Sequence, residues 1–136
     1  PLQLHPSSSL SEELETVELY SCVSFGRDRG VFDLATTFEV FEHIPIGMHC
    51  PLLNLLASQT SRWFVGSVAA PGQKGIGHIS CRKDTDLIAD LIARGYTFRH
   101  DLTNLLRNSL HVRWFKSNLI VMEVGASGVK QISCAI

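Results

Sequence analysis

Residues 31–44 read VFDLATTFEVFEHI, and the fold prediction starts from this segment. Its first eight residues, 31–38, are apolar or β-branched on both faces of an extended chain, which is typical of a buried parallel strand. Glu39, Glu42 and His43 follow directly. Because open α/β sheets bind ligands at the carboxyl ends of their strands, these polar residues are a candidate site. His43 is a candidate general base since imidazole titrates near neutral pH; the alternative is a solvated loop.

Strand and helix patterns alternate along the rest of the chain. We predict strands over residues 17–25, 62–70, 96–99 and 117–124. We predict helices over residues 51–58 and 84–94 and a third one that starts at Asp101, with Asp84 and Asp101 as N-caps and Gly95 as the residue that ends the second helix. This order predicts an α/β, Rossmann-like fold with a mostly parallel sheet and flanking helices.

A glycine-rich loop, GQKGIGH over residues 72–78, follows the predicted strand 62–70. Its spacing matches neither the P-loop nor the dinucleotide-binding fingerprint, so a phosphate site is not favoured. We interpret the segment as a flexible active-site loop that carries His78. Ser67 lies just before it without the G-x-S-x-G pattern of a nucleophilic serine.

The four cysteines are scattered and form no C-x-x-C pair: Cys22, Cys50, Cys81 and Cys134. This usage predicts reduced thiols and a cytoplasmic protein. His78 and Cys81 have a ligand-like spacing, and His43, His49 and Cys50 add further ligand types. Since no matched second pair accompanies them, we expect no metal ion.

The composition limits the classes of protein and the partners that we expect. The chain has 136 residues with 45% hydrophobic residues, which predicts one folded domain. Twelve basic and 13 acidic residues give a formal charge of −1, so we expect no nucleic-acid partner. No apolar run approaches the length of a membrane span, so we expect no membrane partner.

Residues 31–44 resemble the fourth-strand motif of class I S-adenosylmethionine-dependent methyltransferases, roughly F-D-L-V-x-x-x-E-V-x-E-H-I. The matching positions are Phe32, Asp33, Leu34, Glu39, Val40, Glu42, His43 and Ile44. The segments that follow resemble the fifth, sixth and seventh strands of that family in order, so the resemblance covers residues 31–124. It divides the chain into an amino-terminal arm over residues 1–30, a methyltransferase-like half-domain and a tail over residues 125–136.

The resemblance implies methyl transfer from S-adenosylmethionine by in-line attack. Glu39 and Glu42 would then bind the cofactor, and His43 or His78 would take a proton from the acceptor. The acceptor is unknown, with a small molecule as the default because no basic face is present.

The family's glycine-rich cofactor turn has no counterpart in residues 1–30, which favours a truncated domain that lacks the first strands. A non-catalytic remnant that acts as a binding or dimerisation module is the alternative. An unrelated small enzyme that uses Glu42 and His43 is a third interpretation. Without the family's first strand, residues 31–38 form an edge, and long apolar edges associate. We therefore predict that residues 17–25 pair there or that two chains form a homo-oligomer across it.

Overall fold

A computed structural model of the chain describes residues 31–134, and it is an α/β fold with a four-stranded open sheet. The strands are β1 (Phe32–Thr37), β2 (Thr60–Gly66), β3 (Tyr96–Phe98) and β4 (Ile120–Val124). The helices are α1 (His49–Gln59), α2 (Asp84–Ala93), α3 (His100–Ser109) and α4 (Phe115–Asn118), with 3-10 turns at Phe41–His43 and Ile46–Met48. The predicted strand over 17–25 lies outside the described residues.

The sheet is mixed, so the prediction of a mostly parallel sheet is wrong. Its order is β1-β2-β4-β3; β1 and β2 are parallel, whereas β4 runs antiparallel to both β2 and β3. The apolar run in β4 is explained by its central position between two strands. Burial on both faces produces the same sequence pattern in a central antiparallel strand as in a parallel one.

Strand β1 confirms the predicted strand over 31–38, but it is not buried within the described residues. It pairs with β2 on one side and forms the edge of the described sheet on the other. Phe32 and Leu34 each keep 51% of their surface exposed. An edge strand with exposed apolar side chains is a site where another strand can pair.

Helices α1 and α2 lie close to the predicted ranges, and local chemistry explains their ends. Pro51 occupies the first turn of α1, where its missing N–H would have no intrahelical partner. Asp84 and Asp86 place negative charge at the positive end of the α2 dipole. Gly95 follows α2 with φ of +95°, as predicted for a residue that ends a helix.

The two predicted N-caps are each displaced by one or two residues. Lys83 caps α2 and Asp84 is its first residue, where its carboxylate accepts the Thr85 N–H and an Arg107 N–H. Arg99 caps α3, and Asp101 is held by the Arg99 guanidinium instead. Both aspartates therefore form ion pairs with arginines, and Asp84 also accepts one backbone N–H in the first turn of α2.

The core lies between the sheet and helices α1 and α2. Leu53 of α1, Leu87 and Leu91 of α2, and Phe64 and Met122 of the sheet are all fully buried. Each buried side chain of this size stabilises the fold by about 1.5–3 kcal/mol relative to an exposed one. Helix α3 contacts β4 through Thr103, whose hydroxyl accepts a backbone N–H of that strand at 3.0 Å.

Cys50 and Cys134 form a disulfide, so the prediction of reduced thiols is wrong for this pair. Their Cα atoms lie 5.7 Å apart although 84 residues separate them in sequence. The bond joins the start of α1 to the carboxyl-terminal tail, where the Asn54 side chain donates to the Ile132 carbonyl and accepts the Ile132 N–H. Cys81 is a free thiol.

In the described part of the chain, no helix combines the length and the apolar character that crossing a bilayer requires.

Candidate functional site

The site lies where β1 and β2 end side by side. Thr37 and Gly66 are paired in register at the carboxyl ends of the two parallel strands, and the Ser67 N–H donates to the Thr37 carbonyl at 2.8 Å. Beyond Ser67 the chain leaves the ladder, so β2 is shorter than the predicted strand 62–70. This end of the sheet is where the sequence placed Glu39 and the glycine-rich loop.

Glu39 is hydrogen-bonded to three other segments at this end of the sheet. Its N–H donates to Ser67 Oγ at 3.0 Å, and Ser67 Oγ donates back to Glu39 Oε1 at 2.8 Å. Gln73 donates to Oε2 at 3.1 Å and Asn118 to Oε1 at 3.3 Å. The backbone of Glu39 has φ of +52°, a left-handed conformation that is costly for a residue with a Cβ. The hydrogen bonds hold that conformation and tie four segments of the chain together.

Glu42 lies on the inner side of the 3-10 turn and has no solvent exposure. Neither of its carboxylate oxygens has a hydrogen-bond partner among the described residues. Burial raises the pKa of Glu42; the backbone amides of Glu42 and Ala69 oppose this, and the charge of Glu39 adds to it. A buried carboxylate of this kind is costly in its ionised form unless a cation approaches it.

Backbone contacts bring the glycine-rich loop to the motif. The Glu42 carbonyl accepts the N–H groups of Ile79 at 2.8 Å and of Ser80 at 3.0 Å. His78 precedes this anchor, and its ring meets the ring of His43 edge to face, with centroids 5.0 Å apart. The two histidines proposed from sequence are thus in contact.

Both imidazoles are oriented by backbone carbonyls. His43 Nδ1 lies 3.1 Å from the Gly77 carbonyl oxygen, and His78 Nδ1 lies 3.1 Å from that of Gln73. Since a carbonyl only accepts, each Nδ1 carries the proton, and in the neutral rings each Nε2 keeps its lone pair. Gly75 makes room for the second ring, because an added Cβ would overlap Nε2 of His78 and lie 2.5 Å from Cε1.

A cavity of about 470 Å³ opens beside this end of the sheet. Its lining includes Glu39, Gln73, Lys74, His78, Arg113 and Trp114. The volume lies within the range of small-molecule sites. Of the four predicted site residues, Glu39 and His78 line the cavity, whereas Glu42 is buried and His43 is exposed to solvent.

Among the described residues, Glu42, His43 and His78 form a group that can hold a metal ion, with one ligand atom of each within 4.8 Å of the others. This set differs from the one weighed in the sequence. His49 is buried elsewhere, where its Nε2 donates to the carbonyls of Phe41 and Ile44. Cys50 is in the disulfide, and Cys81 Sγ lies 3.6 Å from His78 Nδ1.

The sequence analysis did not identify three residues of this site. Ser67 was considered only as a nucleophile, and its role as the partner of Glu39 depends on the pairing of β1 with β2. Asn118 arrives from α4, 79 residues after Glu39, and also donates to the Val68 carbonyl at 2.9 Å. Trp114 lies on the cavity wall, where it is about half exposed.

Comparison of the chain with protein-family models, with curated protein sequences and with solved structures finds no match.

Proposed function

We propose that the chain belongs to an S-adenosylmethionine-dependent methyltransferase that acts on a small-molecule acceptor. One observation carries the proposal. The fourth-strand motif and the loop around His78, which the resemblance assigns to one active site, meet at the carboxyl ends of β1 and β2. There Glu39 and His78 share the wall of one cavity.

The order of the elements supports the same interpretation. The resemblance equates β1, β2, β3 and β4 with the fourth to seventh strands of the family. Helices α1 and α2 lie between the first three of these strands, in the order that the resemblance gives. The short strand β3 also begins at Tyr96, directly after the Arg94-Gly95 turn that the resemblance places at the entry of the sixth strand.

The chemistry of the cavity wall suits a zwitterion that carries a flat ring. Lys74 and Arg113 offer positive charge to a carboxylate, and Glu39 offers negative charge to an ammonium or sulfonium group. Trp114 offers an aromatic face for stacking or for a cation. S-adenosylmethionine has each of these groups, so the residues present fit part of it, although the sequence has no glycine-rich turn for the methionine portion.

Glu39 keeps capacity for a ligand despite its internal contacts. Its Oε2 accepts only the Gln73 amide among the described residues, and a carboxylate oxygen can accept two hydrogen bonds. The fixed backbone of Glu39 means that little reorganisation accompanies binding. Preorganised polar groups of this kind contribute to affinity because their ordering cost is met during folding.

The bound donor would supply an electrophilic methyl group on a sulfonium. An acceptor oxygen or nitrogen would form the new bond to that methyl carbon as the carbon–sulfur bond breaks, with its electron pair left on sulfur. We assign to His78 the role of taking the acceptor proton, which is supported by its position in the cavity lining and by the hydrogen bond that leaves Nε2 as its acceptor nitrogen. His43 supports His78 through ring contact. The remaining work of the protein is positioning and exclusion of water.

Isothermal titration of the full chain with S-adenosylmethionine and S-adenosylhomocysteine tests the proposal. We expect micromolar binding that Arg113→Ala weakens about tenfold, the effect of losing one charged hydrogen bond. Arg62→Ala is the matched control, because Arg62 is an exposed arginine that stacks on Trp63 away from the cavity. No heat of binding at millimolar ligand, or equal losses in both variants, would contradict the proposal.

A binding or dimerisation module is the second candidate function, and one observation favours it. Strand β1 presents unpaired backbone groups and the half-exposed side chains of Phe32 and Leu34 at the edge of the described sheet. Such an edge is suited to strand addition by a partner. This candidate predicts association without any binding of S-adenosylmethionine.

A further inference from the structure

We propose that Glu42, His43 and His78 bind one divalent transition-metal ion, of which Zn²⁺ is the representative. One ligand atom from each side chain already lies within 4.8 Å of the other two. Glu42 and His43 are adjacent in the 3-10 turn, and His78 is brought to them by the hydrogen bonds from Ile79 and Ser80 to the Glu42 carbonyl. The proposal replaces the expectation of no metal ion and stands independently of methyl transfer.

The orientation of the two histidines is the one that metal-binding histidines adopt. Each Nδ1–H donates to a backbone carbonyl at 3.1 Å, to Gly77 from His43 and to Gln73 from His78. A hydrogen bond at one ring nitrogen fixes the tautomer and leaves the other nitrogen as a ligand. In the tautomer that this hydrogen bond selects, Nε2 of each ring is the nitrogen that can bind a metal ion.

The carboxylate of Glu42 is a second, independent observation that points to a bound cation. Its side chain is fully buried, and both oxygens lack hydrogen bonds from the described residues. Buried charged groups in proteins are paired or bound to metal ions. A cation between Glu42 and the two imidazoles would satisfy the carboxylate, which no described arginine or lysine does.

The donor set indicates the class of ion. Two imidazole nitrogens and one carboxylate oxygen are typical of zinc sites that keep a fourth position open for water or a ligand. Zinc–ligand bonds of about 2.0–2.2 Å require the ligand atoms to approach to roughly 3.4 Å of each other. Ligand atoms at the 4.8 Å limit must therefore approach each other by about 1.4 Å. His43 is exposed and is therefore the ring with room to move, whereas the His78 ring packs against Gly75.

A bound metal ion and the acceptor proton would compete for the same nitrogen of His78. A metal ion on Nε2 of His78 occupies the lone pair that the proposed methyl transfer uses. The two proposals are thus distinguishable, because Zn²⁺ binding is measured without S-adenosylmethionine. Binding of Zn²⁺ alone leaves the methyltransferase proposal to its own titration.

Calorimetric titration of the untagged, chelator-treated chain with Zn²⁺ tests the site. We expect one ion per chain with micromolar or tighter affinity, and at least a tenfold loss in Glu42→Gln, His43→Asn and His78→Asn. His111→Asn and Cys81→Ser are the controls: His111 is an exposed histidine outside the cluster, and Cys81 is the free thiol beside His78. Both controls should retain the affinity of the unmodified chain.

Co²⁺ provides a second measurement that does not depend on affinity alone. Its visible absorption reports nitrogen and oxygen ligands, and a thiolate ligand adds a strong charge-transfer band in the near ultraviolet. If Glu42→Gln does not fold, the exposed His43→Asn carries the test. Absence of Zn²⁺ binding, unmodified affinity in the three ligand variants, or loss of binding in Cys81→Ser would overturn the proposal.

Discussion

Ser67 and Glu39 form two reciprocal hydrogen bonds across the ends of the parallel strands β1 and β2. The Glu39 N–H donates to Ser67 Oγ at 3.0 Å, and the same hydroxyl donates to Glu39 Oε1 at 2.8 Å. Ser67 is fully buried, so water does not replace either bond when one partner is removed. The pair fixes the point at which the chain turns from β1 into the polar segment that contains Glu42 and His43.

Replacement of Ser67 by alanine should reduce the free energy of unfolding by about 1–3 kcal/mol, the range for losing a buried hydrogen bond to a charged group. Ser61→Ala is the matched control. Ser61 lies at the other end of β2, where its exposed hydroxyl donates to the Phe32 carbonyl and to Asp33. Surface substitutions change stability by less than about 0.5 kcal/mol. Equal losses in chemical denaturation of the two variants would be evidence against the buried pair.

The left-handed backbone of Glu39 predicts an inverted ranking of alanine and glycine. Both substitutions remove the carboxylate, but Glu39→Gly avoids the cost of about 1–2 kcal/mol that a Cβ incurs at φ of +52°. Glu39→Gly should therefore be the more stable of the two variants. At the neighbouring Val40, with φ of −113°, alanine should be more stable than glycine. The same ranking at both positions in thermal denaturation would contradict the assigned backbone.

The disulfide predicts that the oxidised chain contains fewer free thiols than its four cysteines. Cys134→Ser should reduce the free energy of unfolding by about 4 kcal/mol, because the bond closes a loop of 84 residues in the unfolded chain. A reducing agent should remove the difference between this variant and the unmodified chain. Cys81→Ser, which changes a free thiol, should retain the full stability. A peptide map without a Cys50–Cys134 cross-link would refute the bond.

The exposed edge of β1 predicts pairing with another strand. We expect either a homodimer across residues 31–38 or protection of that segment by the predicted strand over 17–25. Leu34→Lys should shift the sedimentation equilibrium toward monomer, because charged residues on edges oppose pairing. Ile76→Lys is the control, since Ile76 is fully exposed in a loop rather than in a strand. A monomer in which the amides of β1 exchange rapidly with solvent would contradict both forms of pairing.

The Arg99 side chain predicts a pH dependence at the start of α3. It donates to both carboxylate oxygens of Asp101, at 3.0 and 2.7 Å, and these bonds lower the pKa of Asp101 to about 2. A lowered pKa contributes stability above the unfolded value of 3.8, and this contribution is lost as the pH falls toward 2. The destabilisation by Asp101→Asn should thus be constant above about pH 5 and should shrink between pH 3.8 and 2. In an Arg99→Gln background that shrinkage should be absent.

Local pattern was sufficient for most elements of the described chain. The leucines of α1 and α2, the positive φ of Gly95 and the apolar runs of β1 and β4 are visible within short windows of sequence. The direction of β4 is not visible in such a window, because a central strand is apolar whether it runs parallel or antiparallel to its neighbours. The same ambiguity concealed that β1 lies at an edge of the described sheet, since its exposure depends on which strand lies beside it.

Only part of the candidate site was predicted, because the remaining part depends on contacts between distant segments. Glu39 and His78 were found because they follow strands, which is a local property. Ser67 and Asn118 complete the environment of Glu39 across 28 and 79 residues, and no periodicity encodes such contacts. The disulfide partner of Cys50 is likewise distant in sequence, and connectivity between scattered cysteines cannot be deduced from spacing.

The most direct test of the proposed methyltransferase site is a two-dimensional NMR titration of the ¹⁵N-labelled chain with S-adenosylhomocysteine. The chain has two tryptophans, and their indole N–H signals serve as internal reporters: Trp114 lines the cavity, whereas Trp63 lies in β2 with the Arg62 and Arg99 guanidinium groups near its ring. We predict saturable shifts of the Trp114 indole and the Gln73 side-chain amide with an unchanged Trp63 indole. No saturable shift, or shifts confined to the surroundings of Trp63, would contradict the assignment of this cavity to the methyl donor.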